Sequence, residues 1–116
     1  MSPASKSFRL IHRAEFLRFF NEPEVFRLSF CVVFRIKNDL GHYRLGITLK
    51  AKGSSVERNL AKRLIRSSFD RMKTNLGSYD YNVVIPAHKG LKYPFSKGLR
   101  RDLYENFPKQ VATRST

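Results

Sequence analysis

Acidic side chains are scarce in this sequence: 9 Asp and Glu stand against 23 Lys and Arg in 116 residues, a formal net charge of +14. A field of that size repels itself unless a polyanion is near, so the expected partner is nucleic acid or an anionic membrane surface. The same shortage bears on catalysis. Hydrolysis of a phosphodiester by protein groups alone needs metal-holding carboxylates or a paired acid and base. The three histidines, His12, His42 and His88, lie in separate segments, with no H-x-x-x-H spacing and no cluster of acids beside them. A protein-only nuclease is not expected, and no catalytic or metal-binding residue is assigned.

Other absences narrow the reading further. The single cysteine, Cys31, makes neither an internal disulfide nor a cysteine-rich zinc site, and its place inside an apolar run points to a buried structural thiol. The six glycines are dispersed, and none forms GxxxxGK or GxGxxG, so nucleotide-driven chemistry is not expected. The longest apolar run, Phe30 to Phe34, falls far short of the ~20 residues of a membrane span. The opening residues carry scattered charges and lack the apolar stretch of a secretion signal, so the expected location is cytoplasmic. No internal repeat and no low-complexity tract is present.

What remains is the composition of a folded protein, 41% hydrophobic and 28% charged, of a length that fits one domain. Its ordered core is expected over about 8–107, with a polar tail over 108–116. Phe16, Phe19 and Phe20 recur at spacings of three and four, gathering their rings on one side of a short helix over Arg13 to Asn21 that Pro23 ends. Leu28 to Ile36 is rich in β-branched and aromatic residues and reads as a strand. Asn38, Asp39 and Gly41 form its turn, and Tyr43 to Leu49 returns. Ser54 or Ser55 caps a helix from Val56 to about Met72. Tyr81 to Ile85 is a further strand ended by Pro86, and KGLKYP reads as a loop. Phe95, Leu99, Leu103 and Phe107 mark a final helix whose stripe is assigned to packing, and an additional strand is read around Val25 to Phe30. The layers are those of an α+β protein or split α/β sandwich.

The chemistry concentrates in the long helix. At about 100° per residue, Arg58, Lys62 and Arg66 form a ridge flanked by Asn59 and Arg63. Val56, Leu60, Leu64, Ile65 and Met72 form the apolar arc on the other side. A solvated surface helix mixes charge signs into i,i+4 pairs; this ridge has no acid at its centre and suits a phosphate backbone, which arginine grips with a planar fork.

Arg58-Asn59, Lys62-Arg63 and Arg66, on a helix after a Gly-Ser loop, resemble the signature helix of the bacterial ribonuclease P protein family, Arg-Asn-Arg-x-Lys-Arg-x-x-Arg. AEFLRFF resembles the opening helix of that family, RLGITLK its strand before the signature loop and YDYNVVIPAHKG its strand after the helix, so the likeness covers about residues 8–107. Leu60 departs from the pattern where the second Arg is usual, Ser67 where an acid is common and Asp70 where a base is common; the loop KAKGSS is one residue short.

The resemblance implies an α+β fold of the split β-α-β type, ordered α-β-β-β-α-β-α, with helices on a small mixed sheet like the second domain of ribosomal protein S5. It implies an accessory subunit of a ribonucleoprotein endoribonuclease: a catalytic RNA holds Mg2+ and cuts, while the protein binds that RNA and the 5′ leader of precursor tRNA. Arg58, Asn59, Lys62, Arg63, Arg66, Lys50 and Lys52 are then the expected RNA contacts. Phe16, Phe20, Phe30, Val32, Phe34 and Arg35 are the expected leader cleft, where rings stack on single-stranded bases without reading sequence, with Arg9 and Arg44 as further phosphate contacts. For most of the ten phenylalanines core packing is the default; the resemblance singles out Phe16 and Phe20. No membrane and no obligate protein partner is expected. The alternative is a structural, ribosomal-type RNA-binding protein, which composition alone does not separate.

Overall fold

The computed structural model describes residues 9–10, 12–89 and 95–114. Residues 90–94 of the expected loop, and 115–116 of the expected tail, lie outside them. Helix α1 (Arg13–Leu17) is started by His12, whose backbone N–H donates to Glu15, and tightens into a 3-10 turn over Arg18–Phe20. Four strands follow among the described residues: β1 (Glu24–Arg27), β2 (Val32–Lys37), β3 (Arg44–Leu49) and, after helix α2 (Ser55–Arg71), β4 (Tyr79–Ile85). A helical rod closes the chain: α3 (Phe95–Arg101), one π-helical turn (Asp102–Asn106) and α4 (Phe107–Arg114).

The sheet order is β1-β2-β4-β3, with β4 antiparallel to β2 and parallel to β3. The last strand in sequence is thus inserted between two earlier ones, the split β-α-β arrangement expected for this chain. Because side chains alternate along a strand, register sorts the sheet into two faces. Phe26 opposite Val33, with Tyr81, Val83, Ile85 and Leu45, forms the buried face. Val32, Phe34, Asn82, Val84, Thr48 and Gly46 form the other.

Ala61, Leu64, Ile65 and Phe69 of α2 and Phe95, Leu99, Leu103, Phe107 and Val111 of the rod cover the buried face. The Phe69 ring meets those of Tyr81 at 5.3 Å and Phe107 at 5.4 Å, and each fully buried ring of this size contributes about 1.5–3 kcal/mol. Ser54 caps α2 in a reciprocal pair with Glu57, which fixes where the helix starts after its loop.

Three local expectations change. The strand read from Leu28 begins at Val32, because the Leu28 N–H turns back to the Cys31 carbonyl and separates the edge strand β1 from β2. Val56 is 77% exposed: it sits at the first turn of α2, beyond the reach of the sheet. The segment read as a tail from 108 is helical to Arg114. There Val111 is buried, Gln110 donates to the Arg27 carbonyl, and the Arg114 guanidinium stands 4.0 Å from the centre of the Phe26 ring.

The rod and the β1–β2 turn lock together at Gly98 and Asp102. The buried Asp102 carboxylate accepts the Phe30 N–H, and a Cβ built on Gly98 would lie 2.0 Å from the Phe30 ring. Gly98→Val is therefore expected to cost about 1–3 kcal/mol through overpacking, read as a lower urea midpoint at unchanged slope. An unchanged midpoint would mean that the Phe30 ring is not held there.

Candidate nucleic-acid interface

The open face of the sheet is partly roofed by α1 and its 3-10 turn, leaving a cleft of about 530 Å³. Phe16, Leu17, Phe19 and Phe20 supply one wall, and Phe34, Thr48, Asn82 and Val84 supply the floor. Arg13 and Lys50 stand at the rim. Phe19 is buried and anchors the wall, whereas the Phe20 ring is 86% exposed. An apolar ring so placed has not been used for packing, and with cations beside it the surface offers both a stacking platform and phosphate contacts. The Thr48 hydroxyl donates to the Asn82 side-chain oxygen at 3.1 Å, leaving the Asn82 amide group on the cleft floor.

The wall is pinned by one carboxylate. Asp80, at the start of β4, is fully buried. It accepts bonds from Arg44 at 2.9 and 2.8 Å, from Arg18 at 2.8 Å and from the Asn38 amide at 2.7 Å. Arg44 also donates to Glu15 of α1, and Arg18 to the Lys37 carbonyl. Burial pushes the Asp80 carboxyl up, but the bonds from Arg44 and Asn38 and the charges of Arg44 and Arg18 outweigh it and hold it below the usual carboxylate range. The turn and β3 are thereby fastened to the sheet, with Phe16 and Phe20 on either side of Arg18.

The α2 ridge borders a second groove, of about 390 Å³, lined by Arg9, Leu10, Phe16, Leu45, Gly46, Ile47, Lys62 and Arg66. Phe16 is shared by both hollows, so aromatic wall and cationic ridge form one continuous surface. At Gly46 the backbone passes so close beneath Phe16 that a Cβ would lie 2.6 Å from the ring. Arg66 is held below the ordinary guanidinium range, first by burial and then by the charge of Arg9. Two cations facing one groove are a cost in the free protein that a bound phosphate removes. Asn59 and Arg63 are exposed outward from the ridge, while Arg58 donates to the Ala51 carbonyl at 2.9 Å and steadies the loop that carries Lys50 and Lys52. Leu60, where the signature pattern has arginine, is half-buried against the core.

Several expected contacts lie elsewhere. Arg35 belongs to the buried face by alternation: it is 4% exposed, paired with Glu24 at 2.9 Å and packed 4.1 Å from the centre of the Tyr79 ring, so it is a packing residue and not part of the cleft. Phe30 precedes β2 and packs toward Gly98 and Lys89. Val32 lies on the open face opposite Val84, outside the cleft lining. Arg44 is committed to Asp80 and Glu15. Conversely Arg13, Thr48 and Asn82 were not anticipated, and Lys50 joins the aromatic cleft. Their common face depends on strand register, which spacing within one segment does not disclose.

Among the described residues no three His, Cys, Asp or Glu side chains come together in a way that could hold a metal ion, and Asp80 is already saturated by guanidinium and amide donors. The donor set does not fit a protein-held metal. Burial pushes the Cys31 thiol up, well away from reactivity, and the charge of Asp102 adds to this. No helix among the described residues is long and apolar enough to cross a membrane.

Residues 4–110 match the family model described as Ribonuclease P. The chain belongs to the ribonuclease P protein family. A ribonuclease P protein component from an Exiguobacterium species is 35% identical over 80 residues, covering 68% of this chain and 70% of the relative. One from Streptococcus pneumoniae is 33% identical over 88 residues, covering 75% and 71%. The fold is similar to that of the Staphylococcus aureus RNase P protein, with a TM-score of 0.71 at 26% identity over 96% of this chain and 97% of that one. The Thermotoga maritima RNase P protein superposes with a TM-score of 0.64 at 28% identity, over 90% and 92%. The protein is thus a ribonuclease P protein subunit, part of a ribonucleoprotein endoribonuclease that matures tRNA.

Proposed function

We propose that the protein binds the catalytic RNA of ribonuclease P through the α2 ridge and guides the 5′ leader of precursor tRNA through the aromatic cleft. The exposed Phe20 ring, in a cleft rimmed by Arg13 and Lys50, carries the leader assignment. Stacking on such rings is worth about 1–3 kcal/mol per base and tolerates any sequence, as leaders that differ between precursors require. Lys62, Arg66 and Arg9 line the groove beside it, and Asn59, Arg63 and Lys52 extend the surface outward. Arg58 acts here through the loop it holds as well as through its own charge. Magnesium belongs at RNA phosphates in this reading, with the protein supplying position and charge and no catalytic group. The chain works as one cytoplasmic RNA-binding domain.

The test is precursor cleavage by the cognate ribonuclease P RNA at low magnesium, with and without the protein, on substrates with and without a leader. The expected result is strong stimulation that depends on the leader. Equal stimulation of both substrates would remove the leader from the cleft, and no stimulation at all would overturn the assignment of ridge and cleft to catalytic RNA and leader.

A further inference from the structure

The ridge uses one side of α2, and the opposite side carries a second cationic feature. Five residues beyond Arg66, and so about 140° round the helix, Arg71 is exposed on its last turn, with its guanidinium 5.5 Å from the centre of the Tyr104 ring. The guanidinium of Arg100, exposed on α3, stands 5.0 Å from the same centre. Tyr104 is half-buried against the core, so its ring is a fixed platform and not a floating side chain.

Neither arginine forms an ion pair with another described residue. Among the described residues the ion pairs belong to Arg18, Arg35 and Arg44. Lys97 and Arg101 add exposed positive charge on α3. The nearby acids do not cancel it: Asp102 is buried beneath the Phe30 N–H, Asp70 is half-buried with its charge felt by Tyr43, and Glu105 alone is exposed. Two guanidiniums gathered on one ring repel each other, yet each keeps its outward N–H fork for a phosphate oxygen. An anionic membrane fits less well, since among the described residues the exposed large apolar ones, Leu17, Phe20, Leu40 and Val56, all lie off the rod.

We propose that Arg71, Arg100 and Tyr104 form a second RNA-phosphate contact, turned away from the ridge, which lets the protein hold two RNA segments at once. The ring orients the two forks, and the backbone of a folded RNA supplies phosphates to both. The second segment is either another part of the catalytic RNA or a separate RNA molecule, and the two sources give different readouts.

The experiment compares the protein with Arg71→Gln/Arg100→Gln and with Tyr104→Leu, using the cognate ribonuclease P RNA as probe. If the second segment is part of that RNA, the double variant binds roughly tenfold or more weakly, and the slope of log affinity against log salt falls by about 1.4–1.8. If it is a separate RNA, particles containing two RNAs per protein, counted by native mass measurement, disappear in the double variant while 1:1 affinity is kept. Tyr104→Leu, which keeps both charges, is expected to lose part of the same effect. The single variant Arg100→Gln serves if the double variant loses its native circular dichroism. Unchanged affinity, slope and particle composition would overturn the proposal, as would loss of binding to anionic phospholipid vesicles with RNA binding intact.

Discussion

Replacing Lys62 and Arg66 together by alanine is expected to weaken binding to the catalytic RNA by a hundredfold or more, while the protein stays folded. Both side chains line the groove that Arg9 faces, and neither is needed by the core, which α2 reaches through Ala61, Leu64, Ile65 and Phe69. A charge-assisted bond to a phosphate is worth about 1.5–3 kcal/mol, so two make at least about 3 kcal/mol. The slope of log affinity against log salt should also flatten by about 1.4–1.8. Arg66 adds a sign that a merely structural residue would not show. Burial and Arg9 disfavour its charge in the free protein, so Arg66→Ala alone should leave the urea midpoint equal or higher while affinity falls. A lower midpoint with unchanged affinity would remove Arg66 from the interface.

The ridge was legible because a helix repeats locally: Arg58, Lys62 and Arg66 are neighbours at steps of four whatever packs against them. The same logic placed Phe16 and Phe20 together and assigned Phe95, Leu99, Leu103 and Phe107 to the core. Strand positions were harder. Arg35 is two residues from Val33 and shares its face, but a basic side chain on a strand suggests the solvent side unless its partner is known. That partner, Glu24, lies across the β1–β2 turn. Thr48 and Asn82 meet only because β3 and β4 pair in parallel with Thr48 opposite Val84 and Gly46 opposite Asn82, a register that depends on the whole loop, helix and turn over residues 50–78 between the two strands. The tail was misread for a different reason. Lys109, Gln110 and Arg114 are polar, but one π-helical turn advances the stripe so that Val111 still reaches the core and Arg114 lies over Phe26.

Asp80 is the position where fold and cleft depend on the same atoms, and Asp80→Ala is expected to destabilise the protein by about 3–5 kcal/mol, since it leaves buried guanidinium charge without its acceptor. Most of that cost falls on Arg44, whose side chain is 18% exposed, because Arg18, at 42%, can turn toward water. The folded carboxyl lies below its ordinary value, so its contribution is fully present above the unfolded range near pH 4 and is lost as pH falls through the folded value. Urea midpoints of the protein and of Asp80→Asn should therefore differ at pH 7 and begin to converge only as pH falls below about 4, toward the lower folded value; a constant difference would mean that the carboxylate charge is not what holds the network. Because Arg18 and Glu15 tie the α1 wall to this carboxylate, Asp80→Asn should also raise KM for leader-bearing precursor more than for leaderless substrate. Affinity for the catalytic RNA, which is proposed to rest on α2, should change little. Equal effects on both substrates would separate the buried carboxylate from the cleft and leave it a role in stability alone.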